Sequence, residues 1–306
     1  MNKKLIIIVL LIFVGNAYSC GSKKVIPKNE TDSYPYTEIT EPSRAEQVMY
    51  ALAMAYPNNI ESVEFRNGDW AVLLRGKWYY YAGGRILPEN QLENAAMFRS
   101  YQFYTYPAEL PPWTNPTPEQ IARYSNWTAT RSQNQTRRST FFLDDLWQAS
   151  TRAETESRLV RISFLGRNTR VHHAIRERMA LIETRIQTIA KTDPQVQTWV
   201  NSITTLEGYG WRNIADTQSR SYHSYGLAVD LLPRNLGGKQ TYWLWTSHHK
   251  KDWWNVSYSE RYHPPAAVIK TFEEHGFVWG GKWPLFDTMH FEYRPEIFIL
   301  NGLHKQ

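Results

Sequence analysis

Residues 221–230 read SYHSYGLAVD, and this stretch decides how the most informative part of the chain must fold. His223 and Asp230 are seven residues apart, so on one continuous strand their side chains would face opposite sides. They can converge only if the chain turns between them, and Gly226 permits such a turn. Residues 227–232 (LAVDLL) then predict a buried strand, in which an aspartate is costly unless it is paired or binds a cation.

A second stretch, residues 277–292, reads FVWGGKWPLFDTMHFE and places Asp287 three residues before His290. Two imidazoles and one carboxylate form a common set of catalytic zinc ligands, with the fourth position left to water. We therefore predict that His223, Asp230 and His290 bind Zn²⁺. Asp287 would then be the general base that takes a proton from that water.

The apolar pattern around these two stretches predicts an α+β fold. Spacings of three and four residues predict an amphipathic helix, which carries Val171, Ile175, Met179, Ile182, Ile186 and Ile189. Further helices are predicted after Asp193-Pro194, with the stripe Val196, Trp199, Val200 and Ile203, and over residues 264–275. Strand-like segments lie at residues 225–232, 277–279 and 290–293. We expect a small antiparallel sheet with packed helices that carries the zinc site.

The preceding chain divides into segments of different composition. A short helix is predicted over residues 45–56, and strands over 61–66, 70–74 and 78–82, with hairpin turns between them. Residues 45–110 are therefore predicted to be a small β-rich accessory module without a catalytic pattern. Residues 111–164 are assigned to a linker or helical region, and residues 165–306 to the zinc domain.

The N-terminus resembles an export signal. Residues 1–4 are basic, residues 5–14 form an apolar run too short to span a bilayer, and residues 15–19 are small and polar. The single cysteine, Cys20, ends the stretch AYSC, which resembles a bacterial lipobox. We predict a signal peptide over residues 1–19, and a lipidated Cys20 with a flexible tether over residues 20–44. The expectation is an exported, membrane-anchored lipoprotein facing the periplasm or cell wall; secretion after ordinary signal cleavage is the alternative.

The remaining charged and aromatic residues give weaker signals. The net charge is +6, but Lys and Arg are scattered and no recognised nucleic-acid motif accompanies them, so no nucleic-acid partner is predicted. The pairs His172-His173 and His248-His249 lack an acid at ligand spacing and are interpreted as surface histidines. The Trp-rich segment 237–262 either shapes one wall of a cleft or packs in the core.

Taken together, the two stretches resemble the M15 metallopeptidases. The resemblance lies in Ser-x-His-x-x-Gly-x-Ala-x-Asp, Trp-Gly-Gly-x-Trp and Asp-x-x-His-Phe-Glu, in that order, and covers roughly residues 165–300. These peptidases belong to a group of D-alanyl-D-alanine carboxypeptidases, dipeptidases and phage L-alanyl-D-glutamate endolysins. The resemblance implies that His223, Asp230 and His290 hold zinc and that Asp287 is the base.

The resemblance also implies residues that contact the substrate. Arg212, nine residues before Ser221, resembles the family arginine that binds a substrate carboxylate or carbonyl, which suits a forked and permanently charged donor. Ser221, which opens the first motif, is assigned to substrate binding. The expected function is zinc-dependent hydrolysis of peptidoglycan stem peptides, as a carboxypeptidase or an endopeptidase. A zinc-containing, wall-binding lipoprotein without activity is the alternative, against which the intact acid at Asp287 argues.

Overall fold

The computed structural model describes residues 43–101, 103–133 and 136–303. The predicted signal peptide, Cys20 and almost all of the tether fall on residues 1–42, outside the described residues. The predicted tether ends inside the first helix, which begins at Ser43. Within the described ranges, no helix combines the length and the apolar character needed to cross a membrane.

The described chain folds into short helices and strands. The α-helices are α1 (Ser43–Ala55), α2 (Pro118–Thr130), α3 (Phe141–Trp147), α4 (Arg152–Ser157), α5 (Arg176–Ala190), α6 (Pro194–Ser202), α7 (Trp243–Ser247), α8 (Ala266–Glu274) and α9 (Pro295–Leu300). The strands are β1 (Ile60–Arg66), β2 (Asp69–Leu74), β3 (Lys77–Tyr80), β4 (Leu87–Pro88), β5 (Phe98–Arg99), β6 (Arg137–Arg138), β7 (Leu159–Phe164), β8 (Arg167–His172), β9 (Ile203–Glu207), β10 (Ala228–Pro233), β11 (Phe277–Trp279) and β12 (His290–Tyr293).

Two antiparallel four-stranded sheets dominate this arrangement. The first has the order β1-β2-β3-β4, which confirms the predicted meander. The second has the order β11-β12-β10-β9 and carries Asp230 and His290, two of the three predicted zinc ligands. Helix α8 packs against β11 and α5, and α5 packs against α6. The α+β prediction is therefore confirmed.

Several predicted boundaries were wrong, for local reasons. The helix predicted from residue 171 begins at Arg176, because Val171 pairs with Val160 in the β7-β8 hairpin. Ile203, placed in the second helix, begins β9 instead. The strand predicted from residue 225 begins at Ala228, because residues 222–225 form a 3₁₀ turn. The third strand of the meander ends at Tyr80 rather than residue 82.

One apolar core joins the two ends of the described chain. Val48 and Leu52 of α1 belong to the same buried cluster as Ile182 of α5 and Phe291 of β12. Helix α1 also packs against α9. The predicted domain limits remain a prediction, but the limit at residue 165 falls in the turn that joins the paired strands β7 and β8.

Candidate metal centre and cleft

The turn predicted at Gly226 brings His223 back towards the sheet. Gly226 has φ +70°, and it ends the 3₁₀ turn of residues 222–225 immediately before β10. Ser221 precedes that turn, and its Oγ accepts a hydrogen bond from the His223 amide at 3.3 Å. The short turn of residues 222–225 therefore holds His223 just before the start of β10.

Asp230 and His290 meet through strand pairing. They lie directly opposite each other on β10 and β12, so their side chains share one face of the sheet. Asp230 Oδ1 is 2.8 Å from His290 Nδ1 and 3.2 Å from His223 Nε2. His223 Nε2 and His290 Nδ1 are also 3.2 Å apart, and all three residues are buried. The structure thus brings the three predicted ligands together.

The hydrogen-bond partners decide which ring nitrogen of each histidine carries a hydrogen. His223 Nδ1 lies 2.6 Å from the Gly208 carbonyl, which can only accept, so Nδ1 donates and Nε2 keeps its lone pair. His290 Nε2 lies 3.2 Å from Glu292 Oε2 and donates to it, whereas Nδ1 lies 2.8 Å from Asp230 Oδ1 and can either donate to that oxygen or give up its proton to a metal ion. Once Nδ1 of His290 is deprotonated, as metal binding requires, two nitrogen lone pairs and a carboxylate oxygen of Asp230 face one another.

These three atoms, His223 Nε2, His290 Nδ1 and Asp230 Oδ1, can serve as metal donors, and their arrangement fits a zinc ion. Three lone pairs at such distances repel one another unless a proton or a metal ion lies among them. A tetrahedral zinc with ligands at about 2.0–2.1 Å separates its donor atoms by about 3.3 Å, close to the separations found here. Glu292 also holds the ring of His290 in the manner typical of metal-binding histidines.

The pKa values of Asp230 and His290 show that this pocket stabilises positive charge. Burial would raise the pKa of the Asp230 carboxyl, but the charges and hydrogen bonds of His223 and His290 outweigh it and hold that pKa well below its usual range. Burial would likewise lower the pKa of His290, but hydrogen bonds with Asp230 and Glu292 raise it well above its usual value. A metal ion would supply the positive charge that these groups favour.

Asp287 lies beside the three donors on the loop that connects β11 and β12. Its amide donates to the Gly280 carbonyl at 3.0 Å, and a Cβ at Gly281 would come within 2.1 Å of the Trp279 ring, which explains the Trp-Gly-Gly motif. Asp287 Oδ1 is buried and has no hydrogen-bond partner among the described residues.

The surroundings of Asp287 suit a proton acceptor. Burial, with the negative charges of Asp230 and Glu292, raises the pKa of Asp287 to about 8, against the opposing charges of His290 and Arg212. A carboxyl that titrates near neutral pH matches the requirement for a general base.

Arg212 and Ser221 both line the same cleft. The Arg212 guanidinium is about half exposed, and its Nη2 lies 3.9 Å from Asp230 Oδ2. Its amide donates to Ser224 Oγ at 2.9 Å, and its carbonyl accepts from the Ser221 amide at 3.2 Å. Their predicted roles in substrate binding remain predictions.

A cleft of about 330 Å³ opens over these residues, and its walls come from distant parts of the chain. The segment 237–262 contributes Tyr242, Trp243 and Trp245, which confirms the interpretation of a cleft wall for these three. Trp253 of the same segment does not line the cleft; it packs with Trp243 and Tyr124 in a buried cluster.

Sequence reasoning missed three parts of this site. Arg131 and Arg138 line the cleft, although they lie in residues 111–164, which were predicted to be a linker or helical region and were given no part in the site. Glu292 was given no role. The available signal was its position two residues after His290 on one strand, which places both side chains on the same face.

The interpretation of the two histidine pairs as surface residues was wrong for one of the four. His172 is 2% exposed, because β8 packs it against Trp147. His173, His248 and His249 are exposed as predicted.

Glu292 continues into a buried line of charges. Arg294 Nη1 is 3.5 Å from Glu292 Oε1, and Arg294 Nε donates to Glu296 Oε1. The Tyr56 hydroxyl donates to Glu296 Oε2 at 2.7 Å. The candidate metal centre is thus connected through β12 to Tyr56, the residue that follows α1.

Comparisons with known proteins cover two separate parts of the chain. Residues 215–293 match a family described as D-alanyl-D-alanine carboxypeptidase, and residues 48–103 match a domain of unknown function (DUF8518). No curated protein and no solved structure matches the chain. The first match includes the three donors and Asp287, whereas Arg212 lies just before it. It supports the M15 resemblance, and a peptidase at the level of the family.

Proposed function

We propose that this protein is a zinc-dependent peptidase that hydrolyses peptidoglycan stem peptides. The observation that carries the proposal is the convergence of two histidine lone pairs and the Asp230 carboxylate beside Asp287, inside one cleft. Bound zinc would supply Lewis-acid activation of water and of the scissile carbonyl.

The residues of the chain take distinct parts in this reaction. His223, Asp230 and His290 hold the metal. Asp287 accepts a proton from the attacking water and returns it to the leaving amine when the peptide bond breaks. Arg212, half exposed at the edge of the centre, binds a substrate carboxylate or the polarised carbonyl.

The setting of the enzyme is part of the same proposal. We place it outside the cytoplasm, attached to a membrane through a lipid on Cys20, with its cleft facing the cell wall. The signal-like start of the chain and its single cysteine support this placement.

Digestion of purified muropeptides by the zinc-loaded protein, with the products weighed by mass spectrometry, tests the function. We expect cleavage that a chelator abolishes and added zinc restores. The product masses distinguish removal of a terminal D-alanine from cleavage within the stem. Binding without cleavage by the zinc-loaded protein would instead favour the non-catalytic wall-binding alternative.

Replacement of the base separates metal binding from chemistry. We expect Asp287→Asn to keep zinc, because Asp287 is not among the three donors, and to lose activity by about 10²- to 10⁴-fold, the usual contribution of a general base. Elemental analysis and initial rates measure the two effects, with His223→Ala as the variant that loses the metal. Hydrolysis by Asp287→Asn at nearly the wild-type rate would exclude Asp287 as the base.

A further inference from the structure

The loop that carries Arg212 has little regular structure of its own. Residues 208–221 form neither a helix nor a strand, apart from one isolated backbone bridge. The Arg212 amide donates to Ser224 Oγ at 2.9 Å, and its carbonyl accepts from the Ser221 amide at 3.2 Å. Because irregular segments with few internal hydrogen bonds open easily, the position of the Arg212 guanidinium in the cleft depends on what else holds this loop.

Arg220 contacts the loop on both sides of Arg212. Its guanidinium carbon lies 4.1 Å from the centre of the Trp211 ring, a distance at which a cation and an indole attract each other. The backbone of Arg220 pairs with that of Asn213 in the isolated bridge. Its Nη2 also donates to the Ser224 carbonyl at 3.1 Å. Arg220 thus contacts both chain neighbours of Arg212 and the residue that accepts from the Arg212 amide.

Arg220 is itself held by residues that precede the segment matched by the carboxypeptidase family. Its Nη1 lies 2.8 Å from Asp144 Oδ1 of α3 and donates to the Ala149 carbonyl at 2.7 Å, and its Nη2 donates to Thr155 Oγ1 of α4 at 3.0 Å. The Tyr225 hydroxyl donates to the same Asp144 oxygen at 3.1 Å. Only 11% of the Arg220 side chain and 13% of the Asp144 side chain are exposed, so water screens this pair weakly.

Arg220 is not among the described residues that line the cleft, so any effect that it has on a substrate passes through its neighbours. We propose that Arg220, held by Asp144, is a positioning residue that fixes the Arg212 loop at the edge of the metal centre, so that substrate binding depends on α3. This inference rests on the proposed peptidase function, and it gives part of residues 111–164 a role in that function.

Two substitutions weaken the Arg220–Asp144 pair and change the side-chain volume little. Arg220→Lys keeps the charge but loses the fork that reaches several partners at once, and Asp144→Asn removes the negative charge. We expect each to lower kcat/KM on a stem peptide by about 10- to 100-fold, since a displacement of about 1 Å at a positioned group can cost that much. Asp145→Asn is the matched control, because Asp145 follows in α3 but pairs with Lys77 at 2.9 Å; its kcat/KM should stay near the wild-type value.

A double-mutant cycle with Arg212→Gln shows whether Arg220 acts through Arg212. The constants kcat and KM are measured for the wild type, for Arg220→Lys, for Arg212→Gln and for the double variant. We expect Arg220→Lys to have little further effect in the Arg212→Gln background, whereas substitutions at independent sites multiply their effects. Elemental analysis and thermal melts should show one bound zinc and a folded protein in all four. If Arg220→Lys does not fold, Asp144→Asn takes its place.

Hydrogen exchange tests the same inference without catalysis. Mass spectrometry of the peptide spanning residues 209–214 reports the exchange of the loop amides in the zinc-loaded protein. We expect this peptide to exchange about 10-fold faster in Arg220→Lys than in the wild type or Asp145→Asn, because a hydrogen bond to a charged group contributes at least that factor.

Three results would overturn the inference: multiplied effects in the cycle, unchanged exchange of the loop peptide in Arg220→Lys, or a loss of zinc from this variant that accounts for its lost activity. If the wild type cleaves no peptide, the proposed function fails, but the exchange rates still decide whether Arg220 holds the loop.

Discussion

At the scale of single residues, the orientation of His290 depends on Glu292. The Glu292 carboxylate accepts from His290 Nε2 and so directs the Nδ1 lone pair at the other donors. Glu292→Gln keeps an acceptor but removes the charge that makes the imidazole a better ligand. We expect this variant to bind zinc about 10- to 100-fold more weakly, measured by competition with a chelator of known affinity.

A matched control distinguishes this effect from a general loss of charge. Glu177→Gln removes one carboxylate from an exposed position of α5 and should leave zinc affinity unchanged. Equal zinc affinity in the wild type and in a correctly folded Glu292→Gln variant would show that the carboxylate does not tune the ligand.

The donor residues could be predicted from sequence, but their support could not. The spacing of His223, Asp230 and His290 and the cost of burying Asp230 suggest these ligands, and the resemblance to the M15 motifs supports all three. Arg131 and Arg138 reach the cleft only through tertiary contacts with Trp243 and β5, which no local pattern encodes.

At the scale of elements, the turn at Gly226 is held tightly against the β7-β8 hairpin. A Cβ at this position would lie 2.7 Å from the His172 nitrogen and 2.8 Å from Leu159 Cδ2. Gly237 also has a positive φ, +61°, but nothing lies within 4 Å of its Cβ position. Comparing alanine substitutions at the two glycines therefore separates the energetic cost of backbone strain from the cost of close packing.

We expect alanine to destabilise the protein at both glycines, but more at Gly226. Gly237→Ala should lower the free energy of unfolding by about 1–2 kcal/mol, the penalty of a left-handed conformation. Gly226→Ala should cost about 1–3 kcal/mol more, because the neighbouring backbone must move. Urea denaturation measures both variants, and equal losses would show that the close approach is unimportant.

His172 makes the contact between α3 and β8 sensitive to pH. Its Nε2 donates to the Trp147 carbonyl at 3.0 Å, and its Nδ1 accepts from the Ala174 amide at 3.2 Å, so the neutral ring is bound at both nitrogens. Burial lowers the pKa of His172 to about 4, from an ordinary value near 6.5. The unfolded chain therefore takes up this proton at higher pH than the folded chain.

This difference in pKa predicts a loss of stability in acid. The folded state is therefore fully stabilised by the neutral His172 above pH 6.5. As the pH falls towards 4, the free energy of unfolding decreases by roughly 3 kcal/mol in total from this group. We expect the free energy of unfolding of the wild type to fall more steeply between pH 7 and 4.5 than that of His172→Gln, which cannot titrate there. Parallel curves for the two proteins would contradict the assignment.

Element positions were predicted best where one pattern governed the whole segment. The predicted helix 45–56 and the strands β1, β2 and β3 have clear periodicity and hairpin turns between them. The start of α5 was misplaced because the spacing of Val171, Ile175 and Met179 continues through a strand, a 3₁₀ turn and a helix that all face one core. Apolar periodicity therefore indicated which side of the chain is buried, but it did not determine where the strand ends and the helix begins.

At the scale of the whole molecule, the N-terminal module shares an apolar core with the sheet that carries the candidate metal centre. Its first helix contributes buried Val48, Met49 and Leu52 to the core that also contains Phe291 of β12. Tyr56 ends the line of hydrogen-bonded charges that begins at His290. Removing the module would expose apolar side chains and leave Glu296 without this donor.

We therefore expect residues 165–306 alone not to fold, although this segment contains the donors, the base and Arg212. It lacks β7, the partner of β8, and the apolar residues of α1. Each buried side chain of that size contributes about 1.5–3 kcal/mol, so a few of them equal the whole stability of a typical domain, about 5–15 kcal/mol. Circular dichroism melts and zinc analysis should show a cooperative transition and one bound zinc for residues 43–306, and neither for residues 165–306. A cooperative melt with stoichiometric zinc in the shorter fragment would show that residues 43–164 are dispensable for the fold and for metal binding.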